Sequence, residues 1–139
     1  MNKAAAYIIV LVLAGLFSCR NKDRACMEPA MVVPCKEDPA MTNIRIRNVS
    51  DYNFCSVMMN PGSYTAYYGP VKKNELTCYQ PFSQAYATPS ITLFINEKKF
   101  ILQVIDYVDA IALDKGKYTV SIDVTDFDKG ELQLQTTPD

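Results

Sequence analysis

The sequence NIRIRNV at positions 43–49 marks the point where the pattern that decides the fold begins. Ile44 and Ile46 alternate there with Arg45 and Arg47, which gives a period of two residues. Because successive side chains of a strand point to opposite faces of a sheet, one face of this stretch is apolar and the other is basic. The stretch therefore predicts a β-strand that covers a core on one side.

The same period of two continues toward the C-terminus, interrupted by residues that form turns. Asn60-Pro61-Gly62 closes one segment, and Asn96-Glu97-Lys98 joins two apolar segments in the manner of a hairpin. Pro81 has no backbone N–H, so its segment is predicted to be bent or to lie at an edge. The predicted strand segments are 44–49, 54–59, 64–68, 76–79 leading into 82–86, 90–95, 99–105, 117–124 and 131–135.

Seven to eight short strands separated by turns predict an all-β fold, an antiparallel β-sandwich. After position 42 the chain offers one candidate for a helix, residues 107–113, and that segment is short and better interpreted as a crossing loop. The chain has enough residues for one hydrophobic core. Residues 43–139 are therefore predicted to form one sandwich domain.

A Leu-x-x-Gly-x-Tyr run, formed by Leu113, Gly116 and Tyr118, lies at the entrance of a predicted strand. It resembles the tyrosine corner of immunoglobulin-like and fibronectin-like sandwiches. The resemblance implies an immunoglobulin-like sandwich in which Gly116 permits a tight turn and the buried Tyr118 donates its hydroxyl to backbone near Leu113. The Cys and Trp signature of antibody domains is missing, so the resemblance is to the broader architecture.

The N-terminus has the pattern of a secretory signal. Lys3 precedes an apolar run of 14 residues, positions 4–17, which is short for a bilayer span of about 20 residues. The run ends in Leu16-Phe17, Ser18 follows directly before Cys19, and this arrangement resembles the lipobox of small bacterial lipoproteins. The resemblance implies a signal peptide at 1–18 and lipidation of the Cys19 thiol. An ordinary cleaved signal and an uncleaved anchor helix are the alternatives.

The lipobox resemblance also implies a location. Acyl chains on Cys19 would hold the protein on a membrane at about 0.8 kcal/mol for each buried CH₂ group. Arg20 follows the cysteine, where an Asp would resemble an inner-membrane retention signal. We therefore expect an exported protein that is lipid-anchored in the outer membrane.

Residues 19–42 are predicted to be a lipid-anchored tether. Positions 20–24 are all polar, and Pro29, Pro34 and Pro39 prevent a helix or central strand from running through the remainder of the segment. A tether of this kind would lift the domain off the lipid surface.

Four cysteines remain when Cys19 is set aside, an even number that suits disulfides in an exported protein. We favour a bond within the proline-rich segment and a second bond within the predicted strands, although three pairings are possible. Zinc is disfavoured because short Cys-x-x-Cys spacings and histidine are both missing. The favoured pairs are Cys26 with Cys35 and Cys55 with Cys78.

The inventory of reactive side chains argues against an enzyme and implies no cofactor. The chain has no histidine, which removes the commonest general base and the His-dependent triads. Asp106 and Asp109 bracket Tyr107 in a loop, where solvated turn chemistry is the simpler interpretation. Carboxylates near Gly130 resemble a calcium loop only faintly, and a hairpin turn is again the simpler interpretation. These weak calcium candidates are Asp126, Asp128 and Glu131.

Charge and aromatic content limit the classes of partner that this protein is expected to bind. The net charge is −1 without a cluster of basic residues, so nucleic acid is not expected. Two function classes stay open: a membrane-tethered, non-catalytic binding or assembly module for an envelope protein, and a small-ligand or carbohydrate-binding accessory protein assisted by calcium. A flat exposed patch favours the first, and a concave aromatic groove favours the second. The tyrosines that decide between them are Tyr64, Tyr67, Tyr68, Tyr79 and Tyr86.

Overall fold

The structure, a computed structural model, describes Cys26 and residues 33–139. The predicted signal peptide, Cys19 and most of the predicted tether lie outside these residues. Eight strands are present: β1 (Thr42–Asn48), β2 (Phe54–Asn60), β3 (Ala66–Val71), β4 (Gln80–Phe82), β5 (Ser90–Ile95), β6 (Lys98–Leu102), β7 (Gly116–Asp126) and β8 (Glu131–Pro138). In this part of the chain we find no helix with the length and apolar character needed to cross a membrane.

The strands form two four-stranded sheets, in the orders β4-β1-β7-β8 and β3-β2-β5-β6. The prediction of an all-β sandwich is therefore confirmed. One pair departs from the antiparallel pattern, because β1 and β7 run parallel with Arg45 opposite Thr119. Parallel neighbours need a long crossover, and the five strands between β1 and β7 along the chain provide it.

The core lies between the two sheets and is built by the alternation seen in the sequence. Ile44 and Ile46 on β1 are fully buried, as predicted for the apolar face of that strand. Asn48, on the same face, is also fully buried, and its amide is satisfied by the carbonyls of Tyr52 and Val71 at 2.7 and 3.0 Å. The other fully buried large side chains are Phe54, Phe82, Phe100, Met59, Ile91, Leu93, Ile122, Val57, Val71 and Val120.

Several strand boundaries differ from the prediction. The third strand runs through Gly69-Pro70 to Val71 instead of ending at Tyr68, and residues 76–79 do not form a strand. The β5–β6 hairpin is confirmed, but β6 ends at Leu102 and residues 103–105 do not continue it. Pro81 lies in an edge strand as expected, and that strand covers only Gln80–Phe82 because its pairing with β1 ends at Thr42, where β1 begins.

The connections between strands gather at two ends of the sandwich. Asn60 pairs with Ser90, and the turn after β2 is linked to the turn after β4 by the bond from Tyr86 N to Pro61 O at 2.8 Å. Connections 61–65, 83–89 and 103–115 therefore share one end, which we name the tip end. The opposite end carries residues 49–53, 72–75, 96–97 and 127–130.

The disulfide pairing differs from the favoured one. Cys26 bonds Cys55 and Cys35 bonds Cys78, with Cα separations of 5.2 and 4.9 Å. The N-terminal segment lies against the connection into β4, where Tyr79 O accepts from Lys36 N at 3.2 Å. Cys35 is therefore placed opposite Cys78, so both bonds join the N-terminal segment to the body of the domain.

The described part of the predicted tether contacts the domain at several points before β1 begins. Gln80 Nε2 donates to Pro34 O at 3.1 Å, and Lys117 pairs with Glu37 at 2.7 Å. Asp38 N donates to Asn43 Oδ1 at 2.8 Å. Residues 33–41 therefore lie along the edge of the sandwich, directed toward the tip end.

Candidate binding surface

The predicted tyrosine corner is only partly present. Gly116 has φ of +147°, a conformation that side-chain-bearing residues rarely adopt, and its N–H donates to Met41 O at 3.3 Å. Tyr118 is half-buried against the core beside Leu113, but its hydroxyl has no hydrogen-bond partner among the described residues. The predicted hydroxyl bond of Tyr118 is therefore not formed in the described structure.

Another tyrosine makes the hydrogen bond expected of a corner. Tyr68 on β3 is 4% exposed, and its hydroxyl donates across the sandwich to Ile44 O at 2.8 Å. Burial raises the pKa of Tyr68 well above its usual value, so the phenol stays protonated and remains a donor. Neighbouring side chains of a strand point to opposite faces, and in β3 it is Tyr68 rather than Tyr67 that faces the core.

The calcium candidates form a hairpin turn. Asp126 Oδ1 accepts from Lys129 N at 2.9 Å, and this bond, together with the Lys129 charge, lowers the pKa of Asp126. Lys98 donates its ammonium group to the backbone carbonyls of Phe127 and Asp128. Across Cys26 and residues 33–139, no three or more Asp, Glu, Cys or His side chains are grouped to hold a metal ion.

The tyrosines proposed as a recognition surface are mostly engaged in packing. Tyr64 stacks on Phe82 with ring centroids 4.8 Å apart and donates its hydroxyl to Pro81 O. Tyr86 stacks on Tyr107 at 4.6 Å. Both stacks stabilise connections at the tip end, and Tyr64 also lines a cavity of about 440 Å³ together with Tyr67.

The most exposed of the large apolar side chains belong to the connection between β6 and β7. Ile105, Val108 and Ile111 are 95%, 84% and 74% exposed. Single exposed aliphatic residues are ordinary, but three within seven positions of one loop form a patch of the kind that marks an interaction site. We name residues 103–112 the tip loop.

An aromatic stack attaches the tip loop to the neighbouring connections of the tip end. The Tyr107 hydroxyl donates to Asn60 O at 3.2 Å, which ties the ring stacked on Tyr86 to the end of β2. Gly62 lies directly against the Tyr86 ring, since a Cβ at position 62 would come within 2.5 Å of Cδ2. A glycine is therefore needed for this close approach.

Backbone hydrogen bonds also fasten the tip loop at both of its ends. Val104 N donates to Ser90 Oγ at 2.9 Å where the loop begins. Ala87 N donates to Ile111 O at 2.9 Å where it ends. Backbone fixed in this way presents its exposed side chains in a defined arrangement, which lowers the entropy lost on binding.

A groove lies beside the tip loop on the outer face of β2, β5 and β6. Its volume is about 480 Å³, and Tyr107 forms the boundary with the tip loop. Met58, Thr92 and Ile101 line its floor, with Lys99 as its charged side chain. Ile101 is itself 51% exposed, so the apolar surface continues from the loop onto the sheet.

Comparison with known proteins adds no activity to these observations. No protein-family model matches the chain, and no curated protein matches its sequence. The surface itself therefore carries the functional information.

Proposed function

We propose that this protein is an exported, lipid-anchored envelope protein whose sandwich is a non-catalytic binding or assembly module. The lipobox-like ending at Cys19 supports the anchor. Support for export comes from the two disulfides, because such bonds persist in oxidising compartments. The lack of histidine supports a role in binding rather than catalysis.

The observation that carries the binding role is the exposure of Ile105, Val108 and Ile111 on a loop that the fold holds in place. Leaving such side chains in water is unfavourable by about 1.5 to 3 kcal/mol each relative to burial. A loop that is tied down by a tyrosine stack and backbone bonds yet turns these residues outward is well suited to a protein partner.

The second candidate function is the binding of a small ligand, and the groove beside the tip loop favours it. A volume of about 480 Å³ is within the range of small-molecule sites. Tyr107 is the one aromatic ring among the residues that line this groove, so the surface does not have the stacked rings expected for a sugar platform.

Co-purification from native membranes, with the anchor intact, tests the proposed function. We expect the wild-type protein to retain a stable protein partner and Val108→Ser to lose it. Val49→Ser is the matched control, since Val49 is 44% exposed at the opposite end of the sandwich. Equal retention by Val108→Ser and Val49→Ser, or the lack of any partner for the wild type, would contradict an assembly role for the tip loop.

A further inference from the structure

We propose that the partner of the tip loop is a protein with an apolar pocket bordered by lysine or arginine side chains. This inference rests on the proposed function and adds the chemistry of the partner. It is carried by the charges that alternate with the exposed aliphatic residues.

The tip loop is acidic. Asp106 and Asp109 lie between the three exposed aliphatic residues, and residues 103–112 contain no lysine or arginine. Both aspartates are exposed, and Asp109 makes no hydrogen bond or ion pair with the described residues. The neighbouring turns, 61–65 and 83–89, carry no charge. Asp106 and Asp109 are therefore the charged residues of the tip loop and these two turns, and they alternate with its exposed apolar side chains.

This combination disfavours a lipid bilayer as the partner. Inserting the aliphatic side chains into lipid would bring Asp106 and Asp109 to the membrane surface, where carboxylates are costly to desolvate and anionic headgroups repel them. Loops that insert into membranes favour basic residues beside the apolar ones, and the tip loop has the opposite charge.

The same charges disfavour a second copy of the chain. A symmetric contact between two tip loops would place four carboxylates, Asp106 and Asp109 from each copy, around one apolar patch. Like charges facing each other across an interface oppose association.

A partner with an apolar pocket and a basic rim would complement both the aliphatic side chains and the aspartates of the tip loop. Interfaces commonly have an apolar centre and a polar border, and aliphatic anchors bind best in pockets that exclude water. Opposite charges at the border speed association and set the orientation of the partners. The hydrogen bond from Val108 N to Asp106 Oδ1 at 3.3 Å holds one carboxylate beside the apolar residues, where it can face such a rim.

A photo-crosslinking amino acid, p-benzoylphenylalanine, placed at position 108 of the full-length lipidated protein tests this inference in native membranes. We expect an adduct with a second protein, mapped by mass spectrometry to a segment with apolar residues flanked by lysine or arginine. The double variant Asp106→Asn, Asp109→Asn should lower the adduct yield about fivefold at low salt, because border charges act mainly on the rate of association. Asn retains the acceptor for Val108 N, so the loop backbone is preserved.

The crosslinker at position 49 is the matched control. An adduct of twice the chain mass, a phospholipid adduct, or a partner segment without basic residues would overturn the inference. So would an adduct yield that the double variant leaves unchanged. If Val108→Ser loses its partner while the aspartate variant keeps it, the proposed function stands and the charge inference fails. If position 108 gives no adduct above position 49, both fail.

Discussion

Tyr68 shows what a single residue contributes to this fold. Its hydroxyl crosses from β3 to the carbonyl of Ile44 on β1, so one hydrogen bond links the two sheets inside the core. Water cannot replace a hydrogen bond that is lost inside the core. The residue that the sequence motif emphasised, Tyr118, is half-buried and makes no such bond among the described residues.

Replacing Tyr68 by Phe should therefore destabilise the domain. The ring still fills its place, but the hydrogen bond to the Ile44 carbonyl is lost, and we expect a cost of about 0.5 to 1.5 kcal/mol. For a domain of this size that lowers the melting temperature by several degrees, measured by thermal unfolding. Tyr67→Phe and Tyr118→Phe are the controls, because neither hydroxyl has a partner among the described residues. A larger loss for Tyr118→Phe than for Tyr68→Phe would contradict this assignment.

At the scale of elements, β8 is fastened to the outer face of its sheet by the side chain directly after it. The Asp139 carboxylate accepts from Thr119 Oγ1 at 2.6 Å and from the Tyr79 hydroxyl, and it pairs with Arg45 Nη2 at 3.3 Å. Partial burial raises the pKa of Asp139, but the bonds from Thr119 and Tyr79 and the charge of Arg45 bring it below its usual value. Burial and the bond to Asp139 raise the pKa of Tyr79 to about 12.

These shifts predict a pH dependence of stability. Because the folded pKa of Asp139 is lowered, its contribution is present above the unfolded pKa of about 4 and is lost as the pH falls through the folded value. We expect the difference in unfolding free energy between wild type and Asp139→Asn to be constant near neutral pH and to shrink below about pH 4. Urea unfolding across about pH 2 to 7 measures it, and a difference that grows on acidification would show that the sign is wrong.

The conformation of the tip loop depends on connection 61–65, which follows β2 and lies far from the loop in sequence. Gly62→Ala should push the Tyr86 ring off Tyr107, because the new Cβ would lie 2.5 Å from the ring. We expect faster proteolytic cleavage within residues 103–112 and weaker partner binding. Gly130→Ala is the matched control, since Gly130 also has a positive φ, +75°, but its nearest neighbour would be at an ordinary 3.9 Å. Equal cleavage of the two variants would indicate that the stack does not hold the loop.

At the scale of the whole molecule, we propose that the lipid anchor and the tip loop act together. Cys19→Ala should abolish acylation and release a soluble or signal-retaining form, because this thiol is the atom proposed to take the lipid. Detergent phase partitioning, with mass spectrometry of the N-terminus, measures the change. Crosslinking at position 108 should then fall, because the tether no longer concentrates the loop near its envelope partner. An unmodified Cys19 in the wild-type protein would refute the anchor.

Local pattern was sufficient to predict that this part of the chain forms short strands, although not all of their bounds. Alternation around Ile44 and Ile46, the hairpin at residues 96–98 and the edge position of Pro81 follow from properties of a few neighbouring residues, and all three are confirmed. The glycine requirement at position 116 is equally local, because it reflects a positive φ at the entrance of β7.

The pairing of distant residues was decided by tertiary structure alone. Cys35 bonds Cys78 because residues 33–41 lie along the sandwich edge, and no spacing in the chain encodes that path. The parallel pairing of β1 with β7 depends on the route of all the strands between them. The exposure of Ile105, Val108 and Ile111 arises because β6 ends at Leu102 and Tyr107 is drawn onto Tyr86. Strand formation is governed by neighbours in sequence, whereas burial and disulfide pairing depend on which segments meet in space.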